Sequence, residues 1–275
     1  MGHGTKIGGT AYGVTGGRCL VGGTAYGLRG GTVLTGGTAH PIAFSKYAPV
    51  FADNTWADII EACQTGAVPD TWVADGSCSK TMTIGGQDYQ IDIIGKNHDV
   101  YFDDESTAPL TFQLHQVYNG SYTAENVQPY FSYIAYQNST IRLEILPAIL
   151  ALMPEEVQAA VRNTRHSNPD FKEEITQYVL SDGLFLPTEY EILGEQVCGA
   201  SGVFDKQYAY YQTPAHRIKY NLLGQPAAWL TASSAYAYED VALDLANTWS
   251  EITETGGAAA ADVRQPRCIA PAFCF

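Results

Sequence analysis

Charge is scarce in this chain. Of its 275 residues only 16% are Asp, Glu, Lys or Arg, and acids outnumber bases enough to give a formal net charge of −14. Binding to nucleic acid requires clustered Lys and Arg to neutralise phosphates. The nearest approach to a basic run is the isolated Arg162–Arg165–His166 region, so no nucleic-acid partner is expected. Long apolar runs are missing too: no stretch approaches the roughly 18 consecutive apolar residues that suggest a membrane span. The segment MGHGTKIGG has no hydrophobic signal core. The chain is therefore expected to start in a bacterial cytoplasm, and it can still leave the cell as part of a particle. None of the six cysteines (Cys19, Cys63, Cys78, Cys198, Cys268 and Cys274) falls in a CxxC pair, which argues against a structural zinc site. Buried free thiols are the expected state, with Cys63 and Cys78 the one local pair able to close a short loop. GxSxG, HExxH, kinase and Walker signatures are absent, and no GK[ST] follows Gly8-Gly9. These grounds assign no catalytic residue, cofactor or metal site.

Apolar residues and glycine are well represented. The hydrophobic fraction of 45% is enough for a packed core rather than general disorder, and the length admits one large or two modest domains. Three copies of a repeat open the chain: IGGTAYGVTGG from Ile7, VGGTAYGLRGG from Val21 and TGGTAHPIAF from Thr35, with Thr10, Thr24 and Thr38 at a spacing of 14. Each copy reads as a short strand, a Gly-Gly turn and a second short strand, because Gly-Gly supplies the positive φ angles of tight hairpin turns. Apolar residues in register, Tyr12 with Tyr26 and Val14 with Leu28, distinguish the repeat from a flexible linker. Hairpins this small bury too little surface to stand alone. Residues 1–44 are thus expected to form an all-β stalk that oligomerises with the same repeats in other subunits, a trimer being favoured. Residues 45–275 form the body.

In the body, Asn54-Thr55 before WADIIEACQTG marks a helix start, with apolar residues at Trp56, Ile59, Ile60 and Cys63 and a stop at Gly66. KTMTI-GG-QDYQIDIIG alternates about a Gly-Gly turn and predicts a hairpin over residues 80–95. TIRLEILPAILAL (140–152) reads as a helix kinked at Pro147, and Pro154-Glu155-Glu156 opens another. DFKEEITQYVL (170–180) is a third helix candidate. Short strands surround these helices, and the fold class expected is α+β.

The order of the body's landmarks is recognisable. TWADIIEACQTG, IDIIGKNHD, PLTFQ, STIRLEILPAILALMPEEV, LFLPTEYEILG, WLTASS and CIAPAFCF follow one another over roughly residues 50–275. In that order they resemble a family of prophage-encoded proteins. The C-terminal part resembles the variable domains of diversity-generating retroelements, in which a reverse transcriptase rewrites the 3′ end of a gene at template adenines. The resemblance implies a C-type-lectin-like domain whose core strands stay fixed while surface positions vary. Trp229-Leu230 resembles the fixed strand that opens the variable segment, and Ile269–Phe273 the strand that closes it. Trp249, Ile252 and Gly256 stand where the family keeps an aromatic, an aliphatic and a glycine. The chain departs from the pattern at Thr231-Ala232-Ser233, where the family has Arg-Ser-Pro, and at Cys268, where it has glycine. The family's Asn-rich stretch is replaced by Ala, Tyr, Asp, Thr and Gly, residues that randomising an Asn codon at its adenines produces.

What the resemblance implies is a receptor-binding or host-attachment protein of a phage particle, made in the bacterial cytoplasm and carried on the virion tail or surface. Its variable segment spans about 231–267. The display residues expected there are Ala235, Tyr236, Ala237, Tyr238, Asp240, Asp244, Ala258, Ala260, Asp262 and Arg264. Tyr offers large contact area at low entropic cost, and aromatic anchors dominate interface energetics. The expected partner is a protein or carbohydrate ligand on a host cell surface. Trp229, Trp249 and Phe273 are expected in the core. The tyrosines of QYAYYQTPAHRIKY (207–220) either join the display face or form half-buried strand positions. Two alternatives stay open: a formylglycine-generating-type enzyme on the same fold, relying on Cys268 and Cys274, and a structural decoration protein. Among the polar clusters, His98-Asp99 with Asp103-Asp104-Glu105 lacks the EF-hand spacing and reads as a solvated loop, with His98 as a buried hydrogen-bonding residue. Glu189, Glu191 and Glu195 read as helix-end and turn residues rather than the paired carboxylates of a glycosidase.

Overall fold

The computed structural model describes residues 18–21, 24–27, 30–35, 38–43, 46–118, 120–123, 135–170, 176–234 and 248–275. The chain divides into two compact units, Met1–Pro49 and Val50–Phe275.

In the first unit, β1 (Arg18–Val21) pairs antiparallel with β2 (Thr24–Gly27), and β3 (Gly30–Thr35) pairs antiparallel with β4 (Thr38–Ala43). The registers end at Val21↔Thr24 and Thr35↔Thr38, so a Gly-Gly dipeptide separates the strands of each hairpin. That composition is the one two-residue hairpin connections favour. The first repeat copy lies outside the described residues.

The second unit opens with α1 (Trp56–Gln64), started by a capping box in which the Thr55 side chain accepts from the Asp58 N–H and Asp58 accepts from the Thr55 N–H. Its apolar face buries Trp56, Ile59, Ile60 and Cys63, and Gly66 at φ +65° follows its end. The hairpin β5 (Ser79–Ile84) and β6 (Gln87–Lys96) turns on Gly85-Gly86, both at positive φ. β7 (Leu110–Leu114) is buried along its whole length. At Pro147 the missing N–H removes one rung of the helical ladder. The turn before it, Ile141–Ile145, widens to a π-helix in which the Leu146 N–H reaches back to the Ile141 carbonyl. The α-helix α2 (Leu146–Leu150) continues from there, and α3 (Glu155–Ala160) starts after Pro154 with Glu155 and Glu156 in its first turn.

The helix expected over 170–180 is replaced by strands among the described residues of that segment. β8 (Thr164–Asp170) and β9 (Thr176–Asp182) make an antiparallel pair in register from Thr164↔Asp182 to Asp170↔Thr176. Thr176, Tyr178 and Val179 suit a pleated surface better than a helix, and cross-strand pairing outweighs the weak helical preference that the local acids suggest.

The remaining elements are β10 (Leu184–Phe185), α4 (Glu189–Leu193), β11 (Lys219–Tyr220), β12 (Pro226–Ala227), β13 (Trp229–Ser234), β14 (Thr248–Ile252), β15 (Ala258–Asp262) and β16 (Ala272–Cys274). The main sheet has the order β10-β16-β7-β6-β5, and β13-β14-β15 form a second, three-stranded sheet. Every pairing in both sheets is antiparallel. Helices with antiparallel sheets make the fold α+β. The chain's last strand, β16, lies inside the main sheet, where Phe273 stacks on Phe112 of β7 at 5.4 Å and Phe275 meets the same ring at 5.1 Å. Among the described residues no helix is long and apolar enough to cross a membrane.

Candidate functional site

The segment expected to carry recognition springs from a buried frame. All six residues of β13 are buried, Trp229 and Trp249 are fully inaccessible, and Ser234 of β13 pairs with Trp249 of β14. The Trp229 indole N–H donates to the Arg217 carbonyl at 3.1 Å, and Trp249 sits edge-on to Tyr136 at 5.7 Å. The segment between β13 and β14 carries Ala235, Tyr236, Ala237, Tyr238, Asp240 and Asp244, which lie outside the described residues. β15, at the edge of its sheet, carries the rest. Ala258 and Asp262 are half-buried, Ala260 is exposed, and Arg264 just beyond is exposed. Arg264 closes on Asp262 with its backbone N–H and its guanidinium, at 2.9 and 2.8 Å, and these bonds hold the Asp262 carboxyl below its ordinary range. The two residues therefore partner each other on the surface.

Of the tyrosines of 207–220, Tyr220 is half-buried on the strand β11, and the other three turn inward. Tyr208, Tyr210 and Tyr211 are buried on and beside a 3-10 turn, Ala209–Gln212, rather than half-buried on a strand. Their hydroxyls donate inward, Tyr208 to Asp99 at 3.0 Å, Tyr210 to Asp92 at 2.7 Å and Tyr211 to Gln113. Three buried phenols need three buried acceptors, and the acidic side chains of the main sheet and its ends supply two of them.

The thiols on which an oxidase would rely are placed differently from each other. Cys274 is buried on β16 against Thr111 and Asp99. Burial, with the Asp99 charge behind it, pushes its thiol well above the ordinary range, which leaves little thiolate. Cys268 is only half-buried, 3.9 Å from the Ser121 hydroxyl. Cys63 and Cys78 are buried and unbonded to each other.

The polar run after β6 separates into two environments. Asp103, Asp104 and Glu105 are exposed and pair with Arg162 and Arg165. His98 and Asp99 turn inward instead, just past Asn97 at φ +52°. Asp99 is buried and accepts from the hydroxyls of Thr111 and Tyr208. The His98 ring stacks on Tyr208 at 3.8 Å. Gly95 makes room for that stack, since a β-carbon there would stand 2.9 Å from His98 Cβ and 3.0 Å from Tyr208 Cδ1.

These residues border a cavity of about 200 Å³ lined by His98, Asp99, Arg165, His166, Glu191 and Asp205, among others. Glu191 comes from the first turn of α4, where it forms a capping box with Thr188. The Thr188 hydroxyl in turn donates to Asp205 at 2.7 Å, and the Gly202 N–H donates to the same oxygen at 2.8 Å. Burial, then the charges of Asp205 and Asp99, push the Glu191 carboxyl well above its ordinary range. Burial also raises Asp205, to about 6. Desolvation lowers both His98 and His166, so both imidazoles are neutral near pH 7. Arg165, the one Lys or Arg in the lining among the described residues, is drawn off to Glu105 at 3.1 Å and over the Phe204 ring at 4.2 Å. A neutral imidazole and convergent carboxylates can take a cation or exchange protons with a small polar ligand.

Of the helix-end and turn roles expected of Glu189, Glu191 and Glu195, the structure shows those of the first two. Glu191 caps α4, and Glu189 accepts from the backbone N–H groups of residues 197–199. Sequence reading did not place Glu191 at a cavity, nor did it single out Asp205 or Thr188, and it named Arg165 only within a sparse basic region. The Thr-Glu-Tyr-Glu capping pattern was the available signal, since it fixes Glu191 at N3 of a helix, but it does not say what that helix faces.

Comparison with family profiles, with curated proteins and with solved structures finds no match.

Proposed function

We propose that this chain is a ligand-binding protein of a phage or prophage, a receptor-binding or host-attachment protein of the virion tail or surface. In this reading the body is a C-type-lectin-like scaffold, residues 231–267 are its diversified recognition segment, and residues 1–44 are an oligomerising stalk. The supporting observation is the frame: β13 and β14 are anchored by fully buried Trp229, Leu230, Trp249 and Ile252, while the edge strand β15 keeps only Ala261 buried. A segment carried between such strands can change its residues without disturbing the core, as a variable binding surface requires. Tyr236 and Tyr238 supply the aromatic anchors.

Labelled protein should bind intact cells of a host strain, and Tyr236→Ala combined with Tyr238→Ala should cut that binding more than about tenfold, as loss of two aromatic hot spots does. The melting temperature should hardly move. A control, Leu223→Ser, changes a residue that is 84% exposed on a turn between β11 and β12 and should bind as the parent does. Binding by the double variant equal to that of the parent, or no cell binding by the parent, would reject the reading.

The stalk makes a separate prediction. Two-stranded hairpins are marginal alone, and several weak sites on one particle multiply effective affinity. Light scattering should give a trimer for the full chain and a monomer for a chain lacking residues 1–44. Monomers from both would remove the stalk from the proposal and leave the binding segment standing.

A further inference from the structure

We propose that His98, Asp99 and Glu191 form a binding site for a divalent first-row transition ion of the Zn²⁺ or Mn²⁺ type, open to the cavity beside α4. This site is independent of the display segment. One donor atom from each of the three residues lies within 4.8 Å of the others. Ligands around a tetrahedral Zn²⁺ stand about 3.4 Å apart, as bonds of roughly 2.0–2.1 Å require, so small side-chain rotations draw the three onto one ion.

The surroundings are those of a built site. His98 lies flat on Tyr208, a contact that orients its ring. A neutral imidazole keeps a lone pair on one nitrogen for a metal ion. Asp99 is held from behind by Thr111 and Tyr208. Glu191 is only 6% exposed. Its Oε2 accepts from the Thr188 N–H at 2.8 Å, and its Oε1 accepts no hydrogen bond among the described residues. An oxygen without a protein donor is available to a cation or to water. Among the described residues the one guanidinium in the lining is engaged with Glu105. Asp205 lines the same cavity, and its negative charge adds to the pull on a cation.

The donor set decides the class of ion. Ca²⁺ takes six to eight oxygens, whereas an imidazole with two carboxylates suits Zn²⁺ or Mn²⁺. The cavity leaves room for water on the remaining coordination positions.

Isothermal titration of the full chain with Zn²⁺, under reducing conditions, should show one site per chain. Glu191→Gln and His98→Ala should each weaken it at least about 100-fold. Gln at the same position keeps the capping box, so Glu191→Gln should fold and melt close to the parent. Zn²⁺ should raise the parent's melting temperature and leave that of Glu191→Gln unchanged. Millimolar Ca²⁺ should not displace the ion. The proposal is overturned by absence of Zn²⁺ binding to the parent, by equal binding to both variants (an ion held elsewhere), or by Ca²⁺ binding in preference to Zn²⁺.

Discussion

Glu189→Ala is expected to destabilise the folded chain by about 4 kcal/mol or more, because it orphans several buried donors that each cost about 1–3 kcal/mol when left unpaired. Glu189 is fully buried at the first position of α4. Its carboxylate accepts the backbone N–H groups of Val197, Cys198 and Gly199 and the hydroxyl of Ser250 on β14. Its own N–H donates to the Ser233 hydroxyl on β13 at 2.9 Å. One side chain thus ties a helix, a tight loop and the strands β13 and β14 together. Part of the loss is recovered where the loop opens and water reaches its amides, since Val197 is 51% exposed. Nothing replaces the bond to Ser250. Domains are stable by only about 5–15 kcal/mol, so the loss is a large share of the total. In urea, with a slope of about 2 kcal/mol per M, the midpoint should fall by about 2 M. Amide exchange should speed first in residues 229–234 and 248–252. Glu189→Gln keeps the shape and one acceptor, and should lie between the two. A midpoint for Glu189→Ala within a few tenths of a molar of the parent would mean that the carboxylate does not hold this frame.

Such a hub shows what the sequence could and could not reveal. Features fixed within a few residues were legible. Thr55 with Asp58 marks the start of α1, Gly85-Gly86 forces the turn of the β5–β6 hairpin, and Pro147 interrupts its helix. The aromatic and aliphatic residues expected in the core at Trp229, Trp249 and Phe273 are there, because large apolar side chains leave water wherever the topology places them. Legibility failed where distant partners decide. Residues 170–180 looked helical locally, yet Asp170 ends one strand and Thr176 begins its pairing partner. The tyrosines at 208, 210 and 211 could have faced solvent or core, and the acceptors that draw them in, Asp99, Asp92 and Gln113, lie about a hundred residues earlier. The cavity is harder still, for its walls come from residues 98–100, 165–167, 191 and 204–205. No local pattern joins those four stretches. His98-Asp99 was noticed, but as part of one acidic loop with Asp103-Asp104-Glu105, whereas Asn97 in the left-handed region turns the two groups into different environments.

Lys219 should give the chain an unusual alkaline profile. The side chain is buried on β11, donates to the Leu114 carbonyl at 2.6 Å and lies 5.7 Å above the Trp229 ring. Desolvation lowers it to about 8, against the opposing pull of the Asp92 charge. Asp92 meanwhile accepts from Ser79, from His115 at 2.7 Å and from Tyr210 at 2.7 Å. Burial alone would raise it, but His115, Lys219 and Ser79 together bring it down to about 2. The signs follow from proton counting. Between about pH 8 and pH 10.4 the unfolded chain keeps a proton on this lysine that the folded chain has released, so stability rises with pH. Titrating this one group from pH 7.5 to pH 10 should add about 2 kcal/mol. Lys219→Met removes that gain. The stability difference between parent and variant should therefore grow in the parent's favour by about 2 kcal/mol over that interval, a comparison in which the other titrating groups largely cancel. Asp92 works at the opposite end. Its contribution, about 2–3 kcal/mol, is complete above its unfolded value near 4 and is lost as pH falls through about 2. Asp92→Asn should flatten that acid limb and make the alkaline rise begin at lower pH, because the folded Lys219 then loses the counter-charge that holds its proton. Urea midpoints measured from pH 3 to pH 10 on the three proteins test both limbs. Parallel alkaline limbs for the parent and Lys219→Met would show that the buried amine keeps its ordinary proton affinity.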